Sequence, residues 1–170
     1  MVLIVDFESV ISEILGVESI SIPANSKKQG PKCKDGRILL VDDSAIIRKT
    51  LVRILSRYGF ENITPCTNGL HAWDTITERM GHDDRPFDLV LSDIEMPQMD
   101  GLHLTSKIKS DPQLKDIPVI LFSSLITNSN LKKGEAVGAD AQISKPGKET
   151  MIKTIEAYLS KNQDLIAACN

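Results

Sequence analysis

From residue 37 onward, short apolar runs alternate with longer stretches in which apolar residues recur every three or four positions, and the alternation repeats five times. The short runs predict strands over Arg37–Val41, Asn62–Cys66, Phe87–Ser92, Ile117–Phe122 and Ala141–Ser144. Runs that are apolar almost throughout, such as Leu89, Val90 and Leu91, suit strands covered on both faces. The longer stretches predict helices over Ser44–Tyr58, Asn68–Met80, Leu102–Ser110, Asn128–Val137 and Lys148–Ser160. In the first helix, Ile46, Ile47, Leu51, Ile54 and Leu55 form the expected inner face, and Gly59 is the stop signal. Pro65 cannot donate a ladder hydrogen bond, which puts the second strand at an edge. After the third strand, Pro97 forbids a helix just before it, Gly101 allows a tight turn, and Asp100 is placed to cap the helix that follows.

The start of the chain has a different texture. Val2–Val5 is a strand-like run, and Asp6 caps an amphipathic helix that ends at Gly16, with Phe7, Val10, Ile11, Ile14 and Leu15 on its apolar face. One strand and one helix cannot bury that face alone, so residues 1–17 either pack on the main domain or belong to another domain. Residues 18–36 shift to Ser, Pro, Asn, Lys and Gly and read as a linker whose Lys27, Lys28, Lys32 and Lys34 are first of all solvated, with contact to an acidic partner as the alternative. The main domain spans 37–162, with 163–170 as a C-terminal tail.

Composition excludes more than it selects. At 170 residues, 41% hydrophobic and 25% charged, the chain fits one full core with some extra. No apolar run approaches the roughly 18 residues that span a bilayer, and no signal-peptide pattern opens the chain, so direct membrane insertion is not expected. A net charge of -3 argues against general nucleic-acid binding. Cys33, Cys66 and Cys169 suggest neither a disulfide framework nor a zinc site, which leaves a reducing cytoplasm as the default compartment. His71, His82 and His103 form no metal-ligand spacing.

The strand ends carry the chemistry. Strand one runs into Asp42 and Asp43, strand three into Asp93, strand four into Ser123, and strand five into Ser144 and Lys145 before Pro146. Five βα units imply a doubly wound parallel α/β sheet with right-handed crossovers. With strand order 2-1-3-4-5, strands one and three are neighbours where the winding reverses, and three carboxylates converge there. Like charges that close repel unless a cation joins them, and a hard divalent ion with oxygen ligands, Mg2+ before others, is the natural solution. A lysine and a hydroxyl opposite would suit a transferred phosphoryl group, whose spread charge needs positioning and neutralisation.

Residues 37–160 resemble a receiver domain of bacterial two-component response regulators. The matching pieces are Asp42-Asp43-Ser44, the block from Asp93 through Met96-Pro97 to Asp100-Gly101, Ser123, and Lys145-Pro146. The resemblance implies a five-stranded flavodoxin-like sheet flanked by five helices. It implies that Asp93 accepts a phosphoryl group from a kinase phosphohistidine. It also implies that Asp43, Asp93 and the backbone carbonyl of Glu95 hold Mg2+, that Asp42 acts through water, and that Ser123 and Lys145 engage the phosphoryl group. Such a domain catalyses only its own phosphorylation and dephosphorylation. The resemblance further implies a cis peptide bond between Lys145 and Pro146. Receivers usually carry Tyr or Phe three residues before the lysine as a switch; here the position is Gln142. Glu95 and Leu125 are expected to line the route of attacking water and to tune the lifetime of the acyl phosphate. Met96 and Met99 are read as loop packing, and Trp73 as part of a helix's packing face.

Residues 2–16 are similar to the closing strand and helix of a CheW-like coupling domain. A CheW-like piece followed by a linker and a receiver resembles the CheV-type chemotaxis coupling proteins, in which the partners would be a CheA-like histidine kinase and, through a CheW-like domain, chemoreceptors. No helix-turn-helix output module is expected downstream. Two alternatives remain: a stand-alone response regulator or phosphate sink, and an aspartate-nucleophile phosphatase, which would place its acidic pair after the first strand.

Overall fold

Alternate residues of strand β1 (Ile38–Val41) serve opposite faces of a sheet. Ile38 and Leu40 join Leu51, Ile54 and Leu55 of helix α1 (Ala45–Arg57) and Met151, Ile155 and Leu159 of the last helix, Lys148–Ala168. Leu39 and Val41 join Ala72 and Ile76 of α2 (Gly69–Met80) and Leu104 and Ile108 of α3 (Gly101–Ser110). Two cores therefore sandwich one sheet, which is why its strands are apolar on both sides. These features come from a computed structural model that describes residues 35–82, 85–124 and 128–168, with side chains as far as Lys161.

The remaining elements are β2 (Ile63–Cys66), β3 (Leu89–Ser92), β4 (Val119–Ser123), α4 (Asn128–Ala136) and β5 (Ala141–Ser144), and the last helix is α5. All pairings are parallel, in the order β2-β1-β3-β4-β5. Pro65 sits on the edge strand, as its missing donor requires. Ser44, Asn68 and Asp100 each cap a helix, accepting from the N–H groups of Ile47, His71 and His103. No helix among the described residues is long and apolar enough to cross a membrane.

Three expectations need correction. Ile46 is 47% exposed and not on the inner face of α1. At about 100° per residue it lies about 125° from the centre of the stripe set by Ile47, Leu51, Ile54 and Leu55. β4 begins at Val119 and not Ile117, and Pro118 contributes a carbonyl that accepts from Val90 N–H at 2.9 Å. Ser123 is consequently the last residue of the strand. α5 continues to Ala168, so residues 163–168 are helical and not a tail; neither Gly nor Pro interrupts that stretch. The strand-helix unit at 1–17, the linker lysines, Cys33, Cys169 and Leu125 lie outside the described residues.

Candidate functional site

Register brings the acids together. Val41 pairs with Ser92 between β1 and β3, so the residues that follow, Asp42 and Asp93, leave the sheet side by side. Asp93 N–H donates to the Val41 carbonyl at 2.8 Å, and Asp42 N–H to the Cys66 carbonyl at 3.2 Å. Asp42, Asp43 and Asp93 each place a carboxylate oxygen within 4.8 Å of those of the other two. Three hard oxygen donors at this spacing fit a divalent cation such as Mg2+.

Lys145 reaches the cluster from β5. Its Nζ lies 2.8 Å from Asp42 Oδ2 and 3.4 Å from Asp93 Oδ2, and its side chain is only 6% exposed. The backbone holds it there: Lys145 N–H donates to the Ser123 carbonyl at 3.0 Å, and the bond to Pro146 is cis. The ammonium also sits 5.6 Å from the Phe122 ring centre. Ser123 is buried at the end of β4. Among the described residues, Lys145 is thus the cation whose ammonium contacts both Asp42 and Asp93.

The loop after Asp93 is pinned from several sides. Ile94 N–H donates to Asp93 Oδ1 at 2.9 Å, Ser92 Oγ to the Asp93 carbonyl at 2.8 Å, and Gly101 N–H to the Ile94 carbonyl at 2.9 Å. Gly69 N–H donates to the Met99 carbonyl at 3.0 Å, and a Cβ on Gly69 would stand 2.5 Å from that oxygen. Gln98 takes the left-handed region at φ 67°, and Met96 and Met99 pack into the core, as expected of loop anchors. Trp73 packs partly against the same core, with Lys107 over its ring.

Burial pushes the Asp93 carboxyl above its ordinary pKa; Lys145 opposes the shift and the neighbouring Asp42 charge adds to it. A carboxyl with a raised folded pKa keeps its proton to higher pH in the folded state than in the unfolded state. Stability therefore falls as pH rises from the ordinary carboxylate value through the raised one. Asp93→Asn removes that penalty. The variant is expected to unfold at higher urea than the wild type at pH 7, with the difference closing below the ordinary carboxylate pKa. A less stable variant at pH 7 would contradict this account.

Arg48 and Ser44 make contacts that escaped the sequence. Arg48 Nη1 donates to the Asp42 carbonyl at 2.6 Å and to the Asp43 carbonyl at 3.3 Å, which fixes the acidic turn. The signal was available, because Arg48 stands one helical turn after the capping Ser44. Ser44 N–H donates to Asp42 Oδ1 at 2.9 Å, so both Asp42 oxygens have protein partners. Asp43 and Glu95 border an open cleft of about 520 Å³ that extends past Pro97 to Asn130 and Lys133 of α4. Gln142 lies under α4, away from the acids, and donates from Nε2 to the Leu131 carbonyl at 2.8 Å.

A parallel sheet in this order, with paired acids after β1, a lone acid after β3 and a lysine after β5, defines the two-component receiver class. The chain belongs to the response regulator receiver domain family, which matches residues 38–156. It is 34% identical over 164 residues to chemotaxis protein CheV3 of Helicobacter pylori, covering 94% of this chain and 51% of that protein. It is also 28% identical over 127 residues to chemotaxis protein CheY1 of the same species, covering 74% of this chain and 98% of the relative. A solved signal receiver domain of a histidine kinase from Syntrophus aciditrophicus is 32% identical, with a TM-score of 0.64 over 74% of this chain and 91% of that one. The chain therefore spans about half the length of the CheV3 relative. Its receiver is of the kind found in chemotaxis response regulators. Receivers are regulatory domains that hold Mg2+ through acidic residues, and the Asp42, Asp43 and Asp93 cluster can hold a metal here.

Proposed function

We propose that this chain is a phosphoryl-accepting signalling domain in which Asp93 takes a phosphoryl group from the phosphohistidine of a CheA-like histidine kinase. The observation that carries the reading is the Lys145 ammonium set between Asp42 and Asp93 beside Asp43. It is a ready pair of positive and negative anchors for phosphoryl transfer. Mg2+ would be held by Asp43, Asp93 and the Glu95 carbonyl, and would neutralise charge on the transferring oxygens. Asp42, whose oxygens are already engaged, would contact the ion through water. Lys145 and Ser123 would orient the phosphoryl group from the other side.

The coupling role rests on a different observation. Coverage of 94% of this chain by the CheV3 alignment requires a match that runs upstream of residue 38, beyond the receiver. This supports residues 1–17 as the end of a CheW-like domain joined through the 18–36 linker to the receiver. It supports a role in modulating chemotaxis receptor-kinase coupling in the cytoplasm. The stand-alone regulator or phosphate sink is the second reading, favoured by the CheY1 match over nearly all of that relative.

Purified CheA-type kinase, phosphorylated on histidine and mixed with this chain and Mg2+, is expected to lose its label to the chain. Retention of the label by the kinase, while an authentic receiver drains it, would overturn the reading. Glu95 is exposed at the mouth of the cleft, where attacking water would enter. Glu95→Asn is expected to change the acyl-phosphate decay rate severalfold without altering the unfolding midpoint, and Leu125→Glu is expected to change that rate as well. An unchanged decay rate across both variants would refute the tuning role.

A further inference from the structure

Gln142 occupies β5 opposite Leu121 of β4, and its amide is wedged beneath the first turns of α4. Nε2 donates to the Leu131 carbonyl at 2.8 Å, while Oε1 is buried with no hydrogen-bond partner among the described residues. The helix is cut to receive it. Gly134 of α4 is buried, and a Cβ there would collide with all three amide atoms of Gln142. Glycine in a helix interior is costly relative to alanine, and here it opens the space the amide fills.

We propose that Gln142 is a positioning residue, a polar latch that holds α4 against β5. Resting on the phosphoacceptor reading, the latch also keeps α4 in one position when Asp93 is loaded.

Amide hydrogen exchange on the full chain tests this. Gln142→Leu keeps the volume and removes the bond, and is expected to speed exchange of residues 128–136 about fivefold while β1 and β3 amides stay within twofold. Gly134→Ala is the second variant. Helix propensity alone predicts slower exchange in α4, whereas eviction of the amide predicts faster exchange, again about fivefold. Unchanged or slower α4 exchange in both variants, or a rise equal to that in β1 and β3, overturns the latch. A second arm adds Mg2+ and beryllofluoride to the wild type. Slower exchange over residues 93–100 with α4 within twofold of its resting rate is expected. A large change in α4 overturns the fixed position. No protection at 93–100 overturns the phosphoacceptor reading, and the latch is then decided by the resting comparison.

Discussion

Lys145→Ala is expected to lower stability by about 3–5 kcal/mol, because removing one partner of a buried ion pair leaves the other charge unpaired. Here it leaves two. Asp42 is 2% exposed and Asp93 13%, and Lys145 is the cation that both contact. The loss is read from urea unfolding at pH 7. Mg2+ is expected to restore part of it, since an ion that binds the folded acids stabilises by mass action and now has no internal competitor. Lys145→Arg should not rescue, because a planar guanidinium is not a substitute for a compact ammonium in so enclosed a site. A loss under about 1 kcal/mol, in the range of exposed pairs, would show that the lysine is not the counter-ion of the cluster.

Gly101→Ala is expected to cost roughly 3 kcal/mol or prevent folding. The sign is informative, because alanine is the better helix former by up to about 1 kcal/mol and Gly101 begins α3. The added Cβ would collide with the Asp93 carbonyl, backbone that cannot rotate away. That carbonyl is already held by Ser92 Oγ, so the clash would move the acceptor itself. Gly81→Ala is the matched control. Its Cβ would meet the Glu78 carbonyl at an ordinary 3.4 Å, and the change should stay within about 0.5 kcal/mol. Equal effects at the two glycines in urea melts would contradict the close-approach argument.

The site was legible because its logic is topological. An apolar run that stops on one carboxylate, repeated at β1 and β3, puts Asp42, Asp43 and Asp93 at one sheet edge once those strands are neighbours. Pro65 helped to set that order by marking the edge strand. The cap at Asp100 was legible because it is a purely local hydrogen bond, its side chain accepting from His103 N–H.

What escaped depends on how elements pack. Ile46 and Ile47 are both apolar, and only the phase set by Leu51, Ile54 and Leu55 decides which one faces the core. That Lys145 bridges two acids at rest needed three strands placed at once. The Gln142 contact joins β5 to a helix eleven residues earlier, and no periodicity encodes it. Arg48 was overlooked for a different reason: a charged residue on a helix reads as solvated unless the turn beneath it is known to expose two carbonyls.

The central claim is that Asp93 is a Mg2+-dependent phosphoacceptor. Its most direct test is the intact mass of the chain after incubation with acetyl phosphate, with and without Mg2+, for the wild type and Asp93→Ala. A single labile phosphoryl adduct that needs Mg2+ and is absent from the variant is the predicted result. No adduct in the wild type, or one that persists in Asp93→Ala, would contradict the account and leave a receiver fold that acts by binding alone.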